Sequence, residues 1–175
     1  ILKSLNALAV LDICVGVMTG YFASPDQVKI AASFIHKMKD KNPLLYVLVD
    51  PVLGDDGSLY VSNEVATAIR DELLPLASCI TPNCFELGWL TGKTVSSKAE
   101  ALRAAATLPH KEILATSIPV GPGNLATLAI TGSDYAETIS TVKVEVPHGT
   151  GDFLAGLYFA SRLNGFAPPE ALKLS

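Results

Sequence analysis

Short apolar runs that end in glycine, proline or a polar cluster alternate along this chain with longer stretches whose apolar positions recur every three to four residues. The first run, Cys14-Val15-Gly16-Val17-Met18, stops before Gly20 and predicts a buried strand. Ser24-Pro25-Asp26-Gln27 predicts a helix start, with Ser24 as N-cap, Pro25 at the first helical position and Gln27 closing a capping box. Val28, Ala31, Ala32, Ile35 and Met38 then share one face of a helix that runs to about Lys39. Leu44 to Val49 is continuously apolar, the pattern of a strand covered on both faces in a parallel sheet.

The cycle repeats. Ser62 to Leu74 predicts a helix, Cys79-Ile80 a short strand, and Asn83 to Leu90 a helix closed by Gly92. Ser97 and Glu100 form a second capping box ahead of a helix over Ala101 to Leu108, and Ile113-Leu114-Ala115 reads as the next strand. Leu125 to Ile130 and Tyr135 to Val146 predict an antiparallel pair around Thr131-Gly132-Ser133-Asp134. Gly149-Thr150-Gly151 leads into a helix through Leu163, and a last helix begins at Glu170. This alternation predicts an α/β fold: a doubly wound, mostly parallel central sheet flanked by helices, with an antiparallel pair at its edge. No linker, low-complexity segment or repeat divides residues 1–175, so one domain is expected. Because Ile1 runs straight into a helical pattern at Leu2, Leu5, Leu8 and Ala9, and the last helix stops uncapped, that domain is expected to be incomplete at both ends.

Composition narrows the classes. A 49% hydrophobic content with 17% charge suits a globular protein with a real core. A net charge of -4 offers no basic footprint, so no nucleic-acid partner is expected. No apolar run reaches the ~18 residues of a membrane span. Cys14, Cys79 and Cys84 are odd in number and form no C-x-x-C pair, which predicts small buried hydrophobes in a reducing cytoplasm rather than disulfides or a zinc site.

Ligands of doubly wound sheets bind beyond the carboxyl ends of the strands, so the polar residues that directly follow apolar strands carry the candidate chemistry. Five places qualify: Thr19-Gly20-Tyr21, Asp50 to Gly57, Thr81 to Glu86, Thr116-Ser117, and His148 to Asp152. In the last, glycines let a backbone approach an anion, and the helix beyond them offers free N–H groups. Leu154 stands where a dinucleotide fingerprint needs a third glycine, and the Lys of a Walker A loop is missing. An isolated Asp152 would read as a helix-terminal carboxylate, but directly after the glycines it fits a base that takes a proton from a substrate hydroxyl. Asp50, Asp55 and Glu86 supply hard oxygens suited to Mg²⁺ bridging nucleotide phosphates, with a polar turn and a helix cap as the plainer readings. Thr116 and Ser117 either bind phosphate or start a turn, and Tyr21 could face an aromatic substrate. Trp89 reads as core, His36 and His110 as solvated, and His148 as a loop residue.

These same places carry a resemblance. Gly149-Thr150-Gly151-Asp152 resembles the anion-hole motif of ribokinase-like kinases. Asp50-Pro51-Val52-Leu53-Gly54-Asp55, Leu59-Tyr60-Val61, Leu74-Pro75-Leu76-Ala77 and Thr81-Pro82-Asn83-Cys84-Phe85-Glu86 are similar in sequence and spacing to the pyridoxal kinases of that superfamily. Thr19-Gly20-Tyr21 and Ser24-Pro25-Asp26-Gln27 resemble the segment that lines their pyridoxal ring. The resemblance implies ATP-dependent phosphorylation of the 5′-hydroxyl of pyridoxal, with Asp152 as catalytic base and Gly149, Thr150 and Gly151 holding the developing charge. It implies Mg²⁺–ATP at Asp55 and Glu86, and a monovalent cation, K⁺ or Na⁺, at Asp50, Thr81 and Thr116. It further implies ATP contacts from Tyr60, Thr116 and Ser117, Tyr21 against the pyridine ring, and a cytoplasmic homodimer. Nothing here matches the family's opening strand and the substrate loop with its Ser and Thr groups, and a sheet edge left open would tend to aggregate. Three rival readings stand beside this one. Hydroxymethylpyrimidine kinases share the D-P-V and T-P-N segments but usually have Cys at the position of Asp152. A sugar kinase of the same superfamily is the second rival, and a non-catalytic nucleotide-binding remnant the third.

Overall fold

Strand β2 (Tyr46–Val49) shows why the sheet forms as it does. Val47 and Val49 pack into one apolar cluster and Leu48 into a second, so a strand without a polar side is covered from both directions. The computed structural model describes residues 10–55, 57–141 and 149–175. Among these, β1 (Gly16–Thr19), β2, β5 (Cys79–Ile80), β6 (Glu112–Pro119), β7 (Asn124–Thr131) and β8 (Asp134–Thr141) form one sheet in the order β1-β2-β5-β6-β7-β8. The first four are mutually parallel. β7 and β8 run antiparallel at one edge, as the pattern predicts.

Helices lie on both faces. Helix α1 (Pro25–Lys41), α2 (Asn63–Ala68), α3 (Cys84–Thr91) and α4 (Lys98–Ala105) pack on the side of Val47, Ile80 and Ile113. Helix α5 (Thr150–Leu163) and α6 (Pro168–Leu174) pack on the side of Leu48, Cys79 and Leu114. Gly16 lets α5 approach β1, because a Cβ there would stand 2.8 Å from both Leu163 Cδ2 and Phe159 Cζ.

Several expectations need correction. The strand read as ending at Thr116-Ser117 continues to Pro119, with a bulge between Ala115 and Ile118 and Ser117 at φ 56°. The Asp50–Gly57 segment is more than a turn: β3 (Gly54–Asp55) and β4 (Ser58–Leu59) pair as a small hairpin. The helix read from Ser62 to Leu74 is α-helical only to Ala68 and then widens into a π-turn over Ile69–Leu73. Pro75, which has no N–H to give the turn before it, comes soon after. Helix α4 starts at Lys98, right after its Ser97 cap, and not at Ala101. The Gln27 and Glu100 side chains reach Ala23 N and Ser96 N, one residue before the expected partners Ser24 and Ser97. His110 is not solvated: its ring is half-buried and its Nε2 lies 2.9 Å from the Leu74 carbonyl. The helical pattern at Leu2 to Ala9, residues 142–146 of the predicted strand, Asp56 and His148 lie outside the described residues.

Candidate active site

The four parallel strands end side by side, and backbone hydrogen bonds knit together the segments beyond them. Asp50 N–H donates to the Thr19 carbonyl at 3.1 Å, Thr81 N–H to the Val49 carbonyl at 3.1 Å, and Thr116 N–H to the Pro82 carbonyl at 3.0 Å. A parallel bridge joins Asn83 to Thr116. Thr19, Asp50, Thr81 and Thr116, read separately from the sequence, therefore stand in a row along one end of the sheet.

Glu86 is built into this row. Asn83 caps α3: its Oδ1 accepts from Glu86 N–H at 2.9 Å, and Glu86 Oε2 accepts from Asn83 N–H at 2.9 Å. Glu86 Oε1 accepts from Leu53 N–H at 2.7 Å and, more weakly, from Gly54 N–H at 3.4 Å. Asn83 Nδ2 donates to the Gly54 carbonyl at 2.8 Å. The D-P-V-L-G loop and the T-P-N helix start thus form one unit. Val52, at φ 44°, takes a left-handed conformation that is unusual for a β-branched residue; it immediately precedes the Leu53 amide that meets Glu86. Burial pushes the Glu86 carboxyl up, while the Asn83, Leu53 and Gly54 amides pull it back.

Asp50 is 8% exposed and Thr81 5%. Burial, and then the Glu86 and Asp152 carboxylates, push Asp50 up to about 7, while the nearby Thr81 hydroxyl opposes the rise. Thr81 Oγ1 is buried and completes no hydrogen bond of good geometry, and the same holds for Thr19 Oγ1. A buried carboxylate beside buried threonine hydroxyls offers hard oxygen donors. Among the described residues no group of three or more His, Cys, Asp or Glu is placed to hold a metal ion.

Asp152 enters from the other face of the sheet. It lies in the first turn of α5, whose N-cap Gly149 sits at φ 87° and offers no side-chain cap. The residues of this first turn, Thr150, Gly151 and Asp152, are exposed at the positive end of a 14-residue helix. Asp152 is in electrostatic range of Asp50, to whose rise it makes the smallest contribution. Tyr21 and Tyr60, 63% and 65% exposed, come after β1 and β4. Among the described residues no hydrogen bond or ring contact ties Tyr21 to the row. Asp55 and Ser117 are half-buried, Asp55 in the hairpin and Ser117 in the β6 bulge. The sequence did not announce the Leu53 and Gly54 amides, because backbone donors leave no residue-type signal.

Residues 3–175 match the family model of phosphomethylpyrimidine kinase. The chain is 34% identical over 182 residues to the pyridoxine/pyridoxal/pyridoxamine kinase of Bordetella avium (strain 197N), covering 99% of this chain and 61% of that protein. It superposes on the crystal structure of pyridoxal kinase from Entamoeba histolytica with a TM-score of 0.89 and 30% identity, over 97% of this chain and 62% of that one. The pyridoxal kinase from Leishmania donovani in complex with ADP and pyridoxamine gives a TM-score of 0.85 at 27% identity, over 97% of this chain and 61% of that one. The chain thus spans about three fifths of the length of these relatives.

Proposed function

The chain belongs to the phosphomethylpyrimidine kinase family, and from that premise we propose that the intact protein is a pyridoxal kinase, transferring the γ-phosphoryl of ATP to the 5′-hydroxyl of pyridoxal. The observation that carries the proposal is Asp152 in the exposed first turn of α5, directly behind Gly149 at φ 87°. Relatives named for pyridoxal or for all three vitamers support the substrate class, as does a carboxylate where hydroxymethylpyrimidine kinases usually have Cys.

Asp152 receives the proton of the 5′-hydroxyl as that oxygen bonds to the γ-phosphorus and the bond to the ADP oxygen breaks; no phosphoenzyme forms. The amides of Gly149, Thr150 and Gly151 hold the charge that develops on the transferring group. Tyr60, Thr116 and Ser117 contact ATP, and Tyr21 packs against the pyridine ring. Asp55 and Glu86 would hold Mg²⁺, Glu86 through water because three amides already occupy its oxygens. Asp50, Thr81 and Thr116 would hold K⁺ or Na⁺. When bound, these cations supply positive charge opposite the phosphates. No helix among the described residues is long and apolar enough to cross a membrane, and we place the enzyme in the cytoplasm as a homodimer.

The test is the full-length protein with Mg·ATP and, side by side, pyridoxal and hydroxymethylpyrimidine. Phosphorylation of pyridoxal that disappears in Asp152→Ala while ATP still binds supports function and base together. Preference for hydroxymethylpyrimidine, or turnover of neither substrate by the folded protein, overturns the proposal.

A further inference from the structure

Taking Asp152 as the base, as proposed for the intact protein, we further propose that Glu112 is a positioning residue, one that fixes the pose of α5 from its far end and so places Asp152 at its near end. Glu112 opens β6 and is 7% exposed. Its Oε1 accepts from Tyr46 Oη at 2.9 Å, from Tyr158 Oη at 2.8 Å and from Arg162 Nε at 2.8 Å, and its Oε2 accepts from Arg162 Nη2 at 2.9 Å. Arg162 also lies over the Tyr46 ring, 5.6 Å from its centroid, and its Nη1 donates to the Phe166 carbonyl just beyond α5. One carboxylate thereby joins β2, β6, α5 and the turn toward α6.

Apolar packing holds α5 through buried Ala155 and Tyr158, with Leu154 and Phe159 half-buried beside them. A bidentate guanidinium–carboxylate pair, by contrast, has one favoured geometry and fixes both the rotation and the sliding of the helix that carries it. Tyr158 and Arg162 come six and ten residues after Asp152, about 9 and 15 Å along a helix that moves as a rod. Glu112 begins β6, about 13 Å of strand before Thr116, so it acts on the site through α5 and not by touching a ligand. A shift of about 1 Å at a reacting group can lower turnover about a hundredfold.

The test compares the full-length wild type, Glu112→Gln and Tyr158→Phe. Tyr158→Phe keeps the Glu112–Arg162 pair and remains informative if Glu112→Gln fails to fold. Hydrogen exchange is followed at the amides of Leu154 to Leu157, whose helical bonds close on the turn that holds Asp152, and in parallel at β7. Exchange at 154–157 should speed by about tenfold or more in Glu112→Gln, and by less in Tyr158→Phe, with β7 as protected as in wild type. In turnover, kcat for pyridoxal should fall by about tenfold or more, with the KM for ATP changed less than about twofold. Unchanged protection at 154–157 overturns the proposal. Loss spread evenly into β7 also overturns it, because that marks a general stabiliser. A wild type that does not phosphorylate pyridoxal refutes the functional proposal, and the exchange pattern still decides whether Glu112 orders α5.

Discussion

Asn83 joins the two loops of the candidate site, and replacing it tests whether they form a unit. In Asn83→Ala the Oδ1 cap on Glu86 N–H is lost, together with the Nδ2 bond to the buried Gly54 carbonyl. The cap contributes about 1 kcal/mol and a stranded buried carbonyl costs about 1–3 kcal/mol, so the expected loss is about 2–4 kcal/mol. Asn83→Ser separates the two parts: its hydroxyl keeps the cap acceptor, is too short to reach the Gly54 carbonyl, and should cost about 1–3 kcal/mol. The Glu86 bonds to the Asn83, Leu53 and Gly54 amides involve only backbone donors and survive both changes. Urea unfolding of the full-length protein gives the numbers. Trp89, on α3 itself, reports whether that helix unfolds with the rest. A loss under about 0.5 kcal/mol in Asn83→Ala, or a Ser variant as damaged as the Ala variant, would refute the proposed division.

Four further outcomes are expected. Asp152→Asn should remove most of kcat while ATP binding, followed by calorimetry, stays nearly intact. Tyr21→Ala should raise the KM for pyridoxal more than that for ATP in steady-state assays; equal effects would undo the ring contact. Gly54→Ala should destabilise more than Gly16→Ala in thermal melts. The first Cβ would overlap the Ser58 carbonyl and sit 2.7 Å from Phe85, whereas the second meets only the movable ends of Leu163 and Phe159. Asp50, raised to about 7 from an ordinary 3.8 in the cation-free protein, should make melting temperature fall as pH climbs. Below about pH 4 both folded and unfolded chains hold this proton. Between about 4 and 7 only the folded chain does, and stability declines by no more than about 4 kcal/mol, with the loss complete above 7. Asp50→Asn should flatten that slope between about pH 5 and 8, and parallel profiles for the two proteins would remove Asp50 as its cause.

The strand–helix alternation was legible because strands buried on both faces are apolar throughout, as at Leu44 to Val49, and helix starts carry caps, as at Ser24 and Asn83. The row of polar residues at the strand ends was legible for the same reason: Thr19, Asp50, Thr81 and Thr116 interrupt apolar runs. What the sequence hid is what backbone geometry decides. The bulge at Ser117 and the left-handed Val52 involve residue types that avoid positive φ, so tertiary contacts impose these conformations against local preference. Glu112 was hidden by its place after Lys111, where a charged pair before a strand looks like solvent-facing surface. Only the approach of α5 converts that position into a buried one.

Three buried acids show how differently this fold accommodates charge. Glu112 faces a guanidinium and two phenols, enough to hold the Arg162 side chain firmly charged. Glu86 has no cation, but three amides and the start of α3 meet its two oxygens, and its rise is restrained. Asp50 is buried beside the Thr81 hydroxyl with the Glu86 and Asp152 carboxylates in electrostatic range, and it alone is pushed to about 7. A buried acid among acids is unfavourable for folding unless something positive is to be held there. The fold neutralises its structural carboxylate, Glu112, far from the strand ends. At the strand ends it leaves Asp50 and Glu86 buried without a basic side chain among their hydrogen-bond partners. In the proposed kinase the α5 N-terminus would meet the phosphates and the strand-end carboxylates the cations that accompany them.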